Sequence, residues 1–403
     1  METVKKGVFS RIVGAIFLMA VSAIGPGFLT QTATFTERFL SNFAFAILAS
    51  IIIDIGAQLN VWRVITQAKK RGHEIANAAL PGLGVLLTAL IVFGGLAFQI
   101  GNVAGAGMGL EALLGIDVKL GAVISGGLAI VVFLVKDAGK AMGKTCQYLG
   151  IIMIILTIYV MFKSSPPVGE AVVRSVYPKD FGYGALMLPM ITLVGGTVGG
   201  YITFAGAHRL VDDGITGKEN LKNVTKASVS GIAVTGIMRI VLFLAALGVV
   251  TAGTKLGNAN PAGEVFRAAA GNIGYRFFGI VLWAAAITSV IGAAYTSVSF
   301  LRGYNKFFDK YQTQLIIGFI VFATIVFVTY GRPVTVLIAA GSLNGLILPV
   351  SLGILLYAAH KKKIMGEDYK HPIGFTIFGV LALLVTLYGS FVSLGPLIKL
   401  LTS

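Results

Sequence analysis

Apolar runs of about 20 residues recur along this chain, separated only by short stretches holding charge or Gly/Pro clusters. A run of that length spans about 30 Å of hydrocarbon as a helix. Within lipid a helix satisfies its own backbone hydrogen bonds. Eleven such runs lie at about 11–36, 43–64, 80–112, 118–135, 146–162, 184–208, 228–252, 274–300, 313–330, 333–358 and 373–397. The expected fold is therefore an all-α polytopic membrane protein with eleven transmembrane helices, and no polar run is long enough for a separate soluble domain.

Composition excludes a soluble alternative, because 56% hydrophobic and 12% charged residues cannot cover the surface of a 403-residue globule with polar groups. The 52 glycines are spread through the apolar runs, as close helix packing and local unwinding in lipid both require. Lys5-Lys6 ahead of the run from Ile12 to Val21-Ser22-Ala23 has the outline of a signal peptide. The run continues past that point, so it is taken as the first span.

With the N-terminus cytoplasmic, 21 of the 32 basic residues fall in inside loops, ten fall outside and Arg239 lies within a span. The positive-inside rule then places the protein in the cell membrane, multi-pass, with its N-terminus cytoplasmic and its C-terminus outside. The net charge of +16 is chiefly this topology signal. Nucleic-acid binding would need one contiguous basic face with stacking aromatics, and Lys361-Lys362-Lys363 is ordinary for a cytoplasmic loop. No carboxylate pair, catalytic triad or phosphate loop points to an enzyme, and no cofactor is expected. The single Cys146 forms no internal disulfide. His73, His208, His360 and His371 all sit beside charged loop residues, which leaves no Cys/His metal site in the spans.

Two spans carry residues that break helices: Gly25-Pro26-Gly27 in the first, and Gly195-Gly196-Thr197-Val198-Gly199-Gly200-Tyr201 in the sixth. Interrupted segments at corresponding positions of two halves mark a transporter site near the bilayer midplane. Thr30, Thr32, Thr34 and Thr36 follow the first break. On a regular helix they would show hydroxyls on opposite faces, and an unwound backbone would remove that conflict; bonding back to carbonyls a turn earlier is the alternative.

Gly25-Pro26-Gly27-Phe28-Leu29, the stretch from Asn102-Val103-Ala104-Gly105-Ala106-Gly107 to Leu114-Gly115-Ile116, and Leu348-Pro349-Val350 with Lys361-Lys362-Lys363-Ile364-Met365-Gly366 resemble the natural resistance-associated macrophage protein (NRAMP) family of proton-coupled metal-ion transporters. The resemblance covers most of the chain. It implies a LeuT-like five-plus-five inverted repeat with broken helices 1 and 6 and substrate held between the breaks. One transmembrane domain, 1–403, would then comprise repeat one at about 11–162, repeat two at about 184–358 and an extra helix at 373–397.

The family's metal-binding residues are not matched. Its span-one Asp-Pro-Gly-Asn falls on Thr36-Glu37-Arg38-Phe39 and its span-six Met-Pro-His on Gly199-Gly200-Tyr201. The span-three Asp and Glu fall near Gln99 and Asn102, and the span-ten Gln near Gly341, with Asn344 the nearest polar side chain. Hard dications want carboxylate oxygens, and transition-metal ions want His, Cys or Met as well. Only Asp54 and Glu37 are candidates among the acids, Glu37 with Arg38 as its neighbour. Met187 and Met190 are read as packing residues.

The candidate substrate-binding residues are therefore Thr30, Gln31, Thr32, Thr34, Phe35, Thr36, Thr197, Gly199, Gly200, Tyr201 and Asn344. Bare glycine peptides and a half-helix N-terminus suit a carboxylate or other small polar group, and Phe35 and Tyr201 suit a small ring. Helix packing is the competing task for these glycines. Asp54, Arg239, Asn102 and Glu37 are the candidate coupling or intramembrane charge residues. Asp54 in span two and Arg239 in span seven should pair, with Asn60, Gln58 and Trp62 extending the network. The function expected is secondary-active import of an amino-acid derivative, lactam or organic acid, with protons as the candidate coupling ion. The alternative is a divalent cation, Mg²⁺ foremost, in a relaxed hydrated site.

Overall fold

A computed structural model describes residues 2–402 apart from residue 303, with side chains for all of these except 2–9, 18, 21 and 136–147. Lys5, Lys6, Lys136, Lys140, Lys144 and Cys146, used above for topology and redox reasoning, lie outside the described side chains. The helices are α1 Glu2–Ala23, α2 Pro26–Phe39, α3 Phe43–Ala68, α4 Gly72–Ala79, α5 Leu83–Leu114, α6 Val118–Leu134, α7 Lys136–Ser164, α8 Val168–Val176, α9 Met187–Thr197, α10 Ile202–Asp212, α11 Leu221–Thr251, α12 Pro261–Ser299, α13 Lys306–Lys310, α14 Gln312–Tyr330, α15 Pro333–Ala359, α16 Lys362–Met365 and α17 Ile373–Thr402. No strand occurs among the described residues.

Among the described residues, eight helical segments are long and apolar enough to cross a membrane, beginning with Pro26–Ala68. That first segment has 43 residues, which at about 1.5 Å each would reach about 65 Å, twice the hydrocarbon thickness. Leu40, at φ 49°, turns the chain inside it and separates α2 from α3. Tyr148–Ser164 and Val168–Val176 form a bent pair at 104°, and Val118–Leu134 is a shorter apolar helix. Every run expected from the sequence coincides with a helix or an interrupted pair. Length and apolarity by themselves mark fewer than eleven, because the later part of the first run is joined to the second, the fourth is short and the fifth counts only as half of the bent pair. The eighth run begins earlier than expected, at Pro261, with a sharp non-helical residue at Gly271 (φ 64°, ψ −161°). The short helices α4 and α8 were not anticipated.

Side chains such as Ile377, Leu381, Leu384 and Phe391 on α17 and Phe322 and Ile325 on α14 are exposed apolar groups, the surface a bilayer covers. Inside, small residues let backbones touch. A Cβ on Gly109 of α5 would come within 2.6 Å of the Trp283 backbone nitrogen on α12, and one on Gly105 would overlap the Pro26 ring. The glycine-rich face of α5 thus seats both α12 and the start of α2.

The polar residues after Asp54 do not extend its network; they tie α3 to three other elements. Gln58 Nε2 donates to Ser228 O at 2.8 Å and Trp62 Nε1 donates to Thr203 O at 2.9 Å. Asn60 Nδ2 donates to Gly56 O and Phe375 O, so its Oδ1 accepts from His371 Nε2 at 2.8 Å. Arg63 Nε donates to the Tyr369 hydroxyl at 3.0 Å, and that hydroxyl donates to His371 Nδ1 at 2.9 Å. The chain of donors fixes His371 as the neutral Nε2–H tautomer.

Burial first, then the charges of His360 and Arg63, push His371 down to about 4 from the ordinary histidine value of 6.5. The folded pKa lies below the unfolded one, so the stability this group contributes is complete above about pH 6.5 and is lost as pH falls toward 4. Thermal denaturation should show falling stability across that window. His371→Gln should flatten the fall, and an unchanged profile would show that His371 does not titrate there.

Candidate functional site

Gly25 and Pro26 break the first span where the sequence puts them. Gly25 is extended (φ −108°, ψ −170°), and Pro26, which lacks an N–H, is the first residue of α2. The second break is Val198-Gly199-Gly200-Tyr201 between α9 and α10, with Gly200 at φ 53°, a conformation that disfavours a side chain.

The threonine row corrects the sequence reading: Thr30 to Thr36 form regular helix after the break. Thr32 Oγ1 donates to Phe28 O at 2.7 Å and Thr36 Oγ1 to Thr32 O at 2.6 Å, the back-bonded alternative. Thr30, Thr32 and Thr36 are buried, so α2 shows these hydroxyls to protein rather than lipid. The unwound motif of the family therefore does not coincide with Thr36-Glu37-Arg38-Phe39, which ends α2. There, Glu37 Oε1 accepts from Leu256 N at 2.8 Å instead of pairing with Arg38.

Neutral amides and hydroxyls gather at the breaks. Gln31 Nε2 donates to Leu337 O on α15 at 2.7 Å, and its Oε1 lies 3.0 Å from where a Cβ on Gly196 would sit. Asn344 Nδ2 donates to Gly94 O at 2.9 Å and to Ala340 O at 2.8 Å, while its Oδ1 occupies the place a Cβ on Gly200 would need. Asn102 on α5 and Ser289 on α12 face Gly25, their Oδ1 and Oγ falling 3.8 and 3.3 Å from a Cβ built there. Tyr201 faces Asn102 and packs edge-on to Phe98 at 5.7 Å. Gln31 Oε1, Asn344 Oδ1, Asn102 Nδ2, Ser289 Oγ and both amide atoms of Gln99, one turn before Asn102, are buried without a hydrogen-bond partner.

Buried amides normally satisfy themselves, so this cluster of half-used donors and acceptors is the candidate site. Ser289 was not foreseen; only its spacing against α5, visible after folding, brings it to Gly25.

The glycines divide between two tasks. A Cβ on Gly195 would overlap Gly341 O and Gly345 N of α15, and one on Gly199 would lie 2.6 Å from Asn344 O. These two glycines pack α9 and the second break against α15, which corrects the expectation that Gly199 offers an uncovered peptide. Phe35 packs among Phe39 and Phe43 (centroids 6.4 and 5.7 Å) and also lines a cavity with Thr34, whose buried Oγ1 has no partner.

Asp54 and Arg239 are the buried acidic and basic side chains among the described residues. The expected direct pair is not formed, since no ion pair within 4.0 Å joins them. Thr197 bridges instead. Its Oγ1 donates to Leu193 O at 2.9 Å and accepts from Arg239 Nη1 at 2.9 Å, while Asp54 faces both Thr197 and Arg239 with neither carboxylate oxygen hydrogen-bonded. The guanidinium also lies over Phe28, 4.3 Å from the ring centroid. Arg239 thereby holds the start of α2 through Phe28 and the end of α9 through Thr197, one contact at each break.

His73, His208 and His371 are buried although charged residues flank them in the sequence, and His208 Nε2 accepts from Gly72 N at 3.0 Å. Among the described residues no group of three or more His, Cys, Asp or Glu side chains could hold a metal ion.

Paired interrupted helices within a polytopic helical bundle define a membrane transporter of LeuT-like architecture. The structure of a manganese transporter of Eremococcus coleocola superposes with a TM-score of 0.74 at 16% identity, covering 98% of this chain and 87% of that one. MhsT in complex with L-phenylalanine superposes with a TM-score of 0.65 at 17% identity over 94% of this chain and 98% of its own. In sequence, residues 16–394 match the natural resistance-associated macrophage protein-like family, and the chain belongs to that family. It is a transporter rather than an enzyme. It is also 57% identical over 381 residues to an uncharacterized membrane protein, YcsG, of Bacillus subtilis (strain 168), covering 94% of this chain and 93% of the relative.

Proposed function

We propose that this protein imports a small polar organic solute, an amino-acid derivative, lactam or organic acid, by alternating access about the two breaks. The same architecture serves a manganese transporter in one structural relative and binds L-phenylalanine in another, so the side chains at the breaks must choose. The observation that carries the proposal is the set of unpartnered neutral groups there: Gln31, Gln99, Asn102, Ser289 and Asn344. Amide donors and acceptors complement a solute that carries both N–H and C=O. They give a transition-metal ion neither charge nor soft ligands. Thr197 and Tyr201 border the same space from the second break.

Proton coupling is assigned to Asp54. While it is ionised its charge offsets Arg239, which holds both half-helices; protonation leaves Arg239 to its contacts with Thr197 and Phe28. The basic loops support a cytoplasmic N-terminus and an external C-terminus.

The unpartnered amide oxygens also suit a Mg²⁺ ion that keeps its water shell, and this is the second reading. Uptake into proteoliposomes distinguishes the two. Asn102→Ala should raise the half-saturating concentration of an organic solute about tenfold, the loss of one or two hydrogen bonds at about 1.4 kcal/mol in all. Saturable Mg²⁺ uptake with no response to amides or acids would select the ion.

A further inference from the structure

A cavity of about 480 Å³ lies beyond the breaks, lined by Thr34, Phe35 and Arg38 of α2, Leu188 of α9, Ile338 of α15, and Pro396 and Lys399 of α17 among others. Its two charged lining residues, Arg38 and Lys399, are both cationic and exposed, and neither makes an ion pair among the described residues. The neighbouring acid, Glu37, is turned to the Leu256 amide. The floor of the cavity adjoins the proposed site: Thr34 and Phe35 stand one helical turn from Gln31, and Ile338 follows Leu337, whose carbonyl Gln31 grips. Thr34 adds a buried hydroxyl without a partner.

We propose that this cavity is an antechamber for a carboxylate-bearing solute, with Arg38 and Lys399 capturing the carboxylate before the solute passes Gln31 to the breaks. This rests on the organic-solute reading and narrows it to anionic members of that class. Two like charges beside a low-dielectric wall concentrate anions and speed their arrival, an effect that salt screens. The hydrogen bond from Gln31 to Leu337 O ties α2 to α15 where the cavity adjoins the breaks, so capture and transfer are distinct steps.

The test is calorimetric titration in phosphatidylcholine nanodiscs with matched acids and amides: N-acetylglycine against N-acetylglycinamide, and 2-pyrrolidone-5-carboxylate against its 5-carboxamide. The acid should bind about 5–10-fold more tightly than its amide at low salt, and the preference should shrink in high salt. In Arg38→Gln/Lys399→Gln the preference should vanish while the amide's affinity stays unchanged. Asn102→Ala should weaken acid and amide together. Equal binding of acid and amide, or a preference that survives the double substitution, overturns the antechamber and leaves the central site standing. Failure of every probe to bind removes the central reading and this one with it. If the acid preference is absent in phosphatidylcholine and phosphatidylglycerol alone occupies the cations, the cavity is a lipid site and the proposal fails.

Discussion

Asp54→Asn is expected to abolish proton-driven accumulation while leaving downhill exchange intact. One pH unit of gradient stores about 1.4 kcal/mol, enough to hold a solute about tenfold concentrated if one proton moves with it. Wild-type proteoliposomes should approach that ratio, and the variant should equilibrate near unity. The geometry is the reason for the size of the effect. Asp54 has neither oxygen hydrogen-bonded, so no fixed donor competes with a proton, and its charge acts on Arg239 across Thr197. Arg239→Met should behave differently. It leaves an uncompensated buried carboxylate and removes the Phe28 and Thr197 contacts, a loss of about 3–5 kcal/mol that thermal denaturation would register. An Asp54→Asn variant that still accumulates solute against a gradient retires the assigned role.

Gly200→Ala should reduce uptake about a hundredfold with the protein still folded in the membrane. At φ 53° an alanine costs about 1 kcal/mol in strain, and its Cβ would fall where Asn344 Oδ1 now lies. Asn344 is held by Gly94 O and Ala340 O through its Nδ2, so it cannot swing away without abandoning two hydrogen bonds. Gly195→Val makes the contrast. Its side chain meets the α15 backbone at Gly341 and Gly345, which cannot yield locally, and the expected result is loss of folded protein rather than loss of transport alone. Melting temperatures measured beside uptake separate the two; full uptake by Gly200→Ala would show that the second break does not shape the site.

The breaks themselves were legible in the chain because Gly and Pro cost so much inside a membrane helix that their clustering needs a purpose. Gly25-Pro26 and Gly199-Gly200 interrupt the helices where composition said they would. The threonine row was harder to read. Hydroxyl spacing tells which faces carry polarity but not which faces a neighbouring helix covers, and α2 turned out to be buried on almost every side. Pairing of Asp54 with Arg239 followed from the cost of a lone charge, yet the cost is also met through an intervening hydroxyl, and Thr197 could be placed there only by the fold. Ser289 gave no signal because a serine in an apolar helix is indistinguishable from one bonded to its own backbone until the opposite helix is in view. The burial of the histidines was hidden for a related reason: His208 neighbours Arg209 in sequence, but helix geometry turns it inward.

The central claim is that amides and hydroxyls at two helix breaks select an organic solute over a metal ion. Calorimetric titration of the purified protein with Mn²⁺, Mg²⁺ and 2-pyrrolidone-5-carboxylate tests it most directly. The predicted result is a saturable heat with the carboxylate, weakened in Asn102→Ala, and none with Mn²⁺. Tight, saturable Mn²⁺ binding that Asn102→Ala or Asn344→Ala removes would contradict it.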